Sequence, residues 1–245
     1  MVSTTEIATG IVRLAWETGT TRDEVSEAIA LAFDSGVHRV EAHLHVADVA
    51  EQRLAAYAGL RREGVARGVD EGQDRIVYAR LINDAPPTEP EGFRALLNSF
   101  LPRKRAISQL LIRDESDRVL LCQLTYKTDW DLPGGVVEVG ESPQVGVSRE
   151  VEEELGLRVD AGPLLLTDWL PPWGGWDDAL CLVFDGGSHP HELLETLVAD
   201  RREIRDAQFC TLEEVEQRCA DFTARRIHSA LANLAGGPSY VEGGG

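Results

Sequence analysis

The chain has 245 residues, of which 43% are hydrophobic and 27% are charged, and its formal net charge is −18. This length and balance fit one large or two small globular domains. The negative charge argues against binding to nucleic acid or to anionic membranes, because the long-range field would repel polyanions. A small anionic substrate is compatible with this charge where a divalent metal neutralises the site.

The N-terminus, MVSTTEIATG, lacks the basic and apolar regions of a secretory signal. No apolar run approaches the roughly 20 residues that a membrane-spanning helix needs. The cysteines are widely separated and lack the spacing of a zinc site; they are Cys122, Cys181, Cys210 and Cys219. We therefore expect reduced, buried thiols in a soluble cytoplasmic protein.

The first 83 residues alternate between extended and helical patterns, which predicts a small α/β domain. Strands are predicted at 10–16, 37–46 and 75–81, and helices at about 21–35 and 48–60. Val25, Ile29 and Phe33 supply the apolar stripe of the first helix. Three prolines in NDAPPTEPEGF indicate a linker over residues 84–103, with a helical turn or two around Leu96.

The pattern changes after the linker, and a second domain is predicted over residues 104–238. Residues 106–112 and 119–124 predict a hairpin. Further strands are expected at 164–170, 179–184 and 207–210, and helices at 212–218 and 223–234. The Gly-rich residues 239–245 are expected to form a flexible tail.

A helix with unusual acidity is predicted within residues 135–157, GVVEVGESPQVGVSREVEEELGL. Ser142 suits the N-cap, Pro143 the first helical position and Gly156 the C-terminal end. Val147, Val151 and Leu155 recur every four residues and form the buried stripe. The acidic side chains then share another face of the helix; they are Glu150, Glu153 and Glu154.

Three neighbouring carboxylates repel one another unless a cation lies between them. Oxygen ligands on a rigid helix suit Mg²⁺ or Mn²⁺. The alternative is a solvated acidic face, which is the usual fate of a run of glutamates.

The pattern Gly, five residues, Glu, seven residues, Arg-Glu-apolar-x-Glu-Glu-x-Gly-apolar resembles the Nudix box at every defined position. The resemblance to the Nudix family covers about residues 104–235. It implies an α/β/α sandwich with a mixed sheet and Mg²⁺- or Mn²⁺-dependent hydrolysis of a nucleoside diphosphate linked to another group. It also implies roles for box residues: Glu153 and Glu154 as main metal ligands, Glu150 as a ligand or as the base, Arg149 as the residue that orients the carboxylates, Glu141 as a support, Gly134 as a carbonyl ligand, and Gly135 as a site of close backbone approach.

Residues outside the box supply further candidates. Glu203 is either an additional catalytic acid or an exposed loop acid, and Asp177 and Asp178 are weaker candidates. Trp173 and Trp176 could stack on a nucleobase or pack their loop onto the sheet. Pro172, near the position of a proline in ADP-ribose-type Nudix enzymes, is weak support for that substrate.

The N-terminal segments VHRVEA, 48–60, 61–67 and IVYARL resemble the C-terminal half of a GNAT acetyltransferase over about residues 8–83. The acetyl-CoA loop of such a domain should be Gly-rich so that its amides bind pyrophosphate, but residues 20–24 here are TTRDE. Asp48 and Glu51 stand where Asn and Ser are expected. We therefore expect a truncated, degenerate half-domain without transferase activity, used for homodimerisation or as an added pocket wall. His43 and His45 could bind metal, but packing is the simpler interpretation.

The leading hypothesis is a pyrophosphohydrolase that cleaves a nucleoside diphosphate linked to another group, of ADP-ribose or nucleotide-sugar type. One alternative is clean-up of (oxidised) nucleoside triphosphates of the 8-oxo-dGTP type. A second is a regulatory protein that senses nucleotide without hydrolysis. A third is an acetyltransferase with an accessory Nudix domain, which retained acetyl-CoA binding would favour.

Overall fold

The computed structural model describes residues 1–244 and divides into two compact units, the first spanning Met1–Pro102 and the second beginning at Arg103. One hydrophobic core lies in the first unit and two lie in the second. No helix within the described residues is long and apolar enough to cross a membrane.

The first unit is a five-stranded sheet with three helices. Its strands are β1 (Val2–Ala8), β2 (Ile11–Trp16), β3 (Arg39–His45), β4 (Arg61–Asp70) and β5 (Gln73–Leu81), and its helices are α1 (Arg22–Asp34), α2 (Val49–Tyr57) and α3 (Pro90–Phe100). The strand order is β1-β2-β3-β5-β4. Strands β2 and β3 are parallel and the other neighbours are antiparallel.

The predicted succession of strand, helix, strand, helix and strand is present in this unit, but two strands were missed. β1 and β4 are mostly exposed along their lengths, so they lack the apolar alternation by which strands are detected in a sequence. Each is held by antiparallel pairing with one neighbour, β2 and β5 respectively. The GNAT-like character of this unit stays a prediction.

The segment 84–103, predicted as a linker with a helical turn or two around Leu96, contains the eleven-residue helix α3. Pro90 occupies its first turn, where proline costs no hydrogen bond. Leu96 is buried in the first unit's core, and Ser99 accepts a hydrogen bond from the backbone N–H of Arg62 at 3.1 Å. The segment therefore belongs to the first unit.

The second unit is built on an eight-stranded sheet. Its strands are β6 (Arg105–Asp114), β7 (Val119–Leu124), β8 (Trp130–Asp131), β9 (Gly134–Val136), β10 (Leu164–Leu170), β11 (Ala179–His189), β12 (Ile204–Cys210) and β13 (Ser239–Glu242). Its helices are α4 (Pro143–Leu155), α5 (Leu212–Arg218) and α6 (Asp221–Gly236), with a 3₁₀ helix at His191–Thr196. The main order is β12-β7-β6-β11-β10-β13, with β8 on β7 and β9 on β6.

Helices cover both faces of this sheet. Alternate residues of β6 point to opposite faces: Leu110 packs in one core with Val147 of α4, whereas Leu111 packs in the other with Ile227 of α6. Parallel pairing of β6 with β11, beside antiparallel neighbours, makes the sheet mixed. The predicted mixed α/β fold, with helices on both sides of the sheet, is confirmed.

The prediction of a flexible tail over residues 239–245 was wrong for its described part. Residues Ser239–Glu242 form β13, which pairs in parallel with β10, and the backbone N–H of Gly243 donates to the carbonyl of Trp169 at 3.0 Å. Backbone hydrogen bonds to the edge of β10 thus hold these residues in a strand, although their composition indicated no regular structure. Gly245 lies outside the described residues.

Candidate active site

Helix α4 has the predicted limits and caps. The Ser142 hydroxyl accepts a hydrogen bond from the backbone N–H of Val145, Pro143 opens the first turn, and Gly156 closes the helix at φ +69°. The predicted stripe of Val147, Val151 and Leu155 is fully buried. This packing fixes the helix and directs its acidic side chains away from that core.

Those side chains line a cleft of about 580 Å³, called here the acidic cleft. It contains Glu150, Glu153 and Glu154 of α4 together with Glu203, which lies just before β12. Gly134 and Gly135 of β9 form another wall. The structure thus brings together the predicted acids of the helix and the predicted acid from outside it.

The two glycines allow backbone and side chains to approach closely. Gly134 has φ +132°, and a Cβ there would lie 2.2 Å from the carbonyl oxygen of Ser108. A Cβ on Gly135 would lie 2.6 Å from the carboxyl carbon of Glu150. A side chain at either position would displace β6 backbone or an acid of the cleft.

Arg149 connects several of the acidic residues. Its guanidinium donates to Glu141 at 2.8 Å and to Glu153 at 2.9 Å, and it forms an ion pair with Glu150 at 3.0 Å. Glu141 also accepts a hydrogen bond from the backbone N–H of Glu138 at 2.8 Å, which holds the loop before the helix. The contacts join the two residues for which an orienting and a supporting role were predicted, and those roles stay predictions.

The cleft lacks enough positive charge for its carboxylates. Burial, together with the charges of Glu150 and Glu203, raises the pKa of Glu154 to about 7, against the opposing effect of a hydrogen bond from the Gly134 N–H. Burial also raises the pKa of Glu150, against the opposing effect of Arg149. Such shifts indicate that an added cation would stabilise the ionised form of these acids.

The chemistry of the donor set fits a hard divalent cation, since carboxylates and a backbone carbonyl are its preferred ligands. Within residues 1–244, however, no three His, Cys, Asp or Glu side chains already converge as a metal-binding group. Arg149 and the Gly134 N–H hold the acids of α4 instead. Binding of a cation would therefore require short side-chain movements within the cleft.

Sequence reasoning missed five residues of the acidic cleft: Tyr126, Val136, Glu138, Asp200 and Arg202. Asp200 accepts hydrogen bonds from Arg202, and its backbone N–H donates to the carbonyl of Glu154 at 2.8 Å. The cluster DRRE at 200–203 was the available signal, but its position beside α4 depends on folding of the loop before β12.

Trp173 and Trp176 do not line the acidic cleft. They line a separate cavity of about 300 Å³, called here the aromatic pocket, together with Leu170, Phe222 and Arg225, among others. The Arg105 guanidinium lies 4.7 Å from the centre of the Trp176 ring. Both tryptophans are more than half exposed, so they are accessible for stacking. Asp177 and Asp178 are absent from both sets of lining residues, and Asp178 pairs with Lys104.

The GNAT resemblance would place an anion site at the N-terminus of α1, but two backbone N–H groups there already have hydrogen-bond partners. At the start of α1, the Thr21 N–H donates to the Glu24 carboxylate at 2.7 Å, and the Glu24 N–H donates to the Thr21 hydroxyl. These amides, which would otherwise face an anion, are satisfied by a capping box. His43 pairs with Glu41, and His45 accepts from the Ala47 N–H.

Comparison with known proteins identifies the family of the second unit. The NUDIX domain family matches residues 102–231. A MutT-like protein from Streptomyces ambofaciens is 39% identical over 59 residues, which are 24% of this chain and 38% of that protein. An RNA pyrophosphohydrolase from Francisella tularensis subsp. mediasiatica is 37% identical over 54 residues, 22% of this chain and 35% of that protein.

The aligned segment thus spans little more than a third of each of these two relatives. Among solved structures, the MutT protein from Methanosarcina mazei Go1 is 23% identical, with a TM-score of 0.47, and the match covers 56% of this chain and 99% of that one. With the family match extending over just over half of the sequence and including the whole acidic helix, the chain belongs to the Nudix family.

Proposed function

We propose that this protein is a metal-dependent pyrophosphohydrolase that cleaves a nucleoside diphosphate linked to another group into a nucleoside monophosphate and a phosphorylated product. The observation that carries the proposal is the acidic cleft, where four glutamates from α4 and the loop before β12 face a glycine-lined wall. Family membership supports the hydrolase class, and Nudix hydrolases generally use divalent metals such as Mg²⁺ or Mn²⁺.

Glu153 and Glu154, with Glu150 and the Gly134 carbonyl, would hold Mg²⁺ or Mn²⁺ in the cleft. The bound ion would neutralise the pyrophosphate and the charge that develops as water attacks phosphorus. Arg149 orients the carboxylates through its contacts with Glu153 and Glu150. Glu150 or Glu203 then accepts the proton of the attacking water, since both line the cleft.

The aromatic pocket supports a nucleotide as the substrate. Trp173 and Trp176 offer exposed ring faces on which a base can stack. Along β6, Arg105 of the pocket is three residues from Ser108, which pairs with Gly135 of the cleft. That separation is about 10 Å along the strand, but side chains three residues apart point to opposite faces of the sheet. A substrate that contacts both places would therefore have to pass around the end of β6. ADP-ribose or a nucleotide sugar is the favoured class.

Hydrolysis across a substrate panel tests the proposal. The panel contains ADP-ribose, nucleotide sugars, dinucleoside polyphosphates and oxidised and ordinary nucleoside triphosphates, each with Mg²⁺, with Mn²⁺ or with chelator. We expect turnover of one class that disappears with chelator. Turnover of triphosphates alone would favour nucleotide clean-up, and nucleotide binding without any turnover would favour a sensor.

Two variants of α4 make the test specific to the cleft. Glu153→Gln removes a proposed ligand. Glu152→Gln changes its neighbour on the same helix, which lies outside the cleft and pairs with Arg158. We expect the first variant to lose at least about 100-fold in kcat, because transition-state charge is left uncompensated, and the second to match the wild type. Equal activity of both variants would contradict the metal site.

We also propose that the first unit is a degenerate GNAT-like half-domain without transferase activity. Closure of the α1 N-terminus by Thr21 and Glu24 supports this. Calorimetric titration of the full chain with acetyl-CoA is expected to give no heat of binding. Micromolar binding would instead revive the acetyltransferase hypothesis.

A further inference from the structure

A buried ion pair lies between the sheet and α6, outside the acidic cleft. Arg226 Nε donates to Asp168 Oδ2 at 2.8 Å, and the two residues are 2% and 0% exposed. Gln109 accepts a hydrogen bond from Arg226 Nη1 at 3.1 Å. Burial of two charges is costly and adds little stability beyond that of an apolar pair, so the pair calls for another explanation.

The hydrogen-bonding capacity of this pair is not filled by side chains. Arg226 Nη2 is buried and has no hydrogen-bond partner among the described residues. Among the described residues, the second oxygen of Asp168 accepts a hydrogen bond from one group, the backbone N–H of Gly244 at 3.1 Å. Buried donors in folded proteins nearly always have partners. Arg226 therefore offers a free N–H, and Asp168 offers an oxygen that a backbone N–H now occupies. A polar ligand with one acceptor and one N–H could bind both groups.

The pair lies next to the aromatic pocket. The Phe222 ring lies over the Arg226 guanidinium at 5.6 Å and also lines the pocket, and Trp173 packs against Phe222 at 6.2 Å between ring centres. A base stacked in the pocket would therefore be one aromatic ring away from the Arg226 guanidinium, and its polar edge would reach the buried pair only after the pair is uncovered. The edge needs an N–H for Asp168 and an acceptor for Arg226.

Residues 239–244, called here the C-terminal 239–244 segment, lie over the ion pair and the edge of the aromatic pocket. Gly243 lines the aromatic pocket, and its carbonyl accepts a hydrogen bond from Arg225 at 2.8 Å. The Gly244 carbonyl accepts from Ser229 at 3.4 Å. The Gly244 N–H thus occupies the position at Asp168 that a ligand N–H would take, and a few hydrogen bonds hold it there.

We propose that Asp168 and Arg226 form a specificity site for a nucleobase with a lactam edge, an N–H next to a carbonyl, and that such a base displaces the Gly244 amide. Guanine, hypoxanthine and uracil carry this edge. Adenine and cytosine carry this pair in exchanged places, with the acceptor nitrogen in the ring and the amino donor outside it. In the orientation that suits a lactam edge, their amino group would face Arg226 and their ring nitrogen would face Asp168. The inference rests on the proposed function, whose nucleotide substrate it specifies.

Binding of nucleoside monophosphates to the metal-free full chain tests the inference without hydrolysis. The probes are GMP, IMP and UMP against AMP and CMP, measured by calorimetric titration. Wild-type protein is expected to bind the first three at least about tenfold more tightly, because a site built for hydrogen bonds rejects ligands that leave its groups unpaired. Equal affinities, tighter binding of AMP, or no binding of any probe would overturn the inference.

Glycine variants test displacement of the segment. A Cβ on Gly244 would lie 2.3 Å from the Phe222 carbonyl oxygen, so Gly244→Ala moves the segment away. Gly236→Ala is the matched control, because a Cβ there meets nothing within 4 Å and the backbone is helical. We expect Gly244→Ala to bind GMP about fivefold more tightly, since the Gly244 hydrogen bond no longer competes, and AMP binding and the control to be unchanged.

Ser229→Ala removes one hydrogen bond that holds the segment, and among the described contacts Ser229 forms no hydrogen bond with Asp168 or Arg226. Ser229→Ala should also tighten GMP binding. Because this variant adds no atom near Phe222, the same shift in both variants would show that the effect of Gly244→Ala does not come from distortion of Phe222. Tightening of AMP and GMP alike, or of neither, contradicts displacement by a lactam edge. The two proposals fail separately: turnover without base preference refutes only this inference, whereas selective binding without turnover refutes only the proposed function.

Discussion

Arg149 donates a hydrogen bond from Nη2 to Oε1 of Glu141 at 2.8 Å, so the box glutamate acts on the acidic helix through an arginine. The same guanidinium reaches Glu153 and Glu150. Lysine has a point charge in place of a planar fork and cannot hold all three carboxylates in this arrangement.

We therefore expect Arg149→Lys to lower kcat by about 10- to 100-fold, the usual effect of losing a residue that orients metal ligands. Steady-state kinetics on the substrate found in the panel measure this loss. Arg158→Lys is the control, because Arg158 is exposed and pairs only with Glu152 in the described contacts. Wild-type kcat in the Arg149 variant would remove its orienting role.

Gly135→Ala tests the close approach of β9 to Glu150. The new Cβ would lie 2.6 Å from the Glu150 carboxyl carbon, and this flexible, half-buried side chain can move aside. We expect activity to fall at least about tenfold, because a displacement of about 1 Å in a catalytic group can cost 100-fold, while the melting temperature changes little.

Gly134→Ala separates activity from folding in the same strand. Its Cβ would meet the rigid Ser108 backbone at 2.2 Å, so thermal denaturation should show a marked loss of stability. If Gly135→Ala were as destabilised as Gly134→Ala, its lower activity could not be assigned to Glu150.

Trp176 gives a prediction about substrate binding. Its ring lies under the Arg105 guanidinium at 4.7 Å and is 61% exposed. Trp176→Ala should raise KM about 5- to 150-fold with kcat within twofold, because stacking on a base contributes about 1–3 kcal/mol equally to ground and transition states. The KM of Trp176→Phe should lie between that of the wild type and that of Trp176→Ala. A wild-type KM in Trp176→Ala would indicate that the tryptophan only packs its loop.

Asp114 gives a prediction about stability and pH. It is 1% exposed and accepts hydrogen bonds from the backbone N–H groups of Ser116 and Arg118 and from the Arg118 side chain. Burial raises its pKa, but these bonds outweigh burial and lower the pKa below its usual range. The stability that Asp114 contributes is therefore present above its unfolded-state pKa of about 4 and is lost as pH falls through its lower folded-state pKa.

We expect Asp114→Asn to lower the free energy of unfolding by about 1–3 kcal/mol at pH 7, with a smaller difference from wild type below about pH 4. Urea unfolding at several pH values measures both effects. Asp117→Asn is the control on the same turn, because Asp117 is exposed and asparagine tolerates its positive φ of 58°. A difference that grows at low pH would contradict the lowered pKa.

The sequence predicted the acidic helix almost to the residue, because its caps, apolar stripe and glycine end are local signals that lie within one segment. It predicted the sharing of one face by Glu150, Glu153 and Glu154 for the same reason. β1, β4 and β13 escaped detection, since edge strands depend on backbone pairing with distant residues and need no apolar alternation. α3 was not predicted at full length because the prolines before it indicated a linker, although one of them, Pro90, occupies its first turn.

The candidate site was only partly predictable. Tyr126 and Asp200 reach the acidic cleft through loops whose paths depend on packing. Trp173 and Trp176 were identified as accessible aromatics, but their position in a separate pocket needed the sheet topology. The Asp168–Arg226 pair joins residues 58 apart in the chain, and no local pattern connects them.

The acidic cleft also affects the thermal stability of the second unit. Burial, with a smaller contribution from the neighbouring carboxylates, disfavours the ionised forms of Glu150 and Glu154 and raises the pKa of both. Replacement of either by glutamine should make the metal-free protein more resistant to heat while it impairs the proposed catalysis, a trade of stability against activity. Selection for thermal stability alone would therefore be expected to erode this helix first.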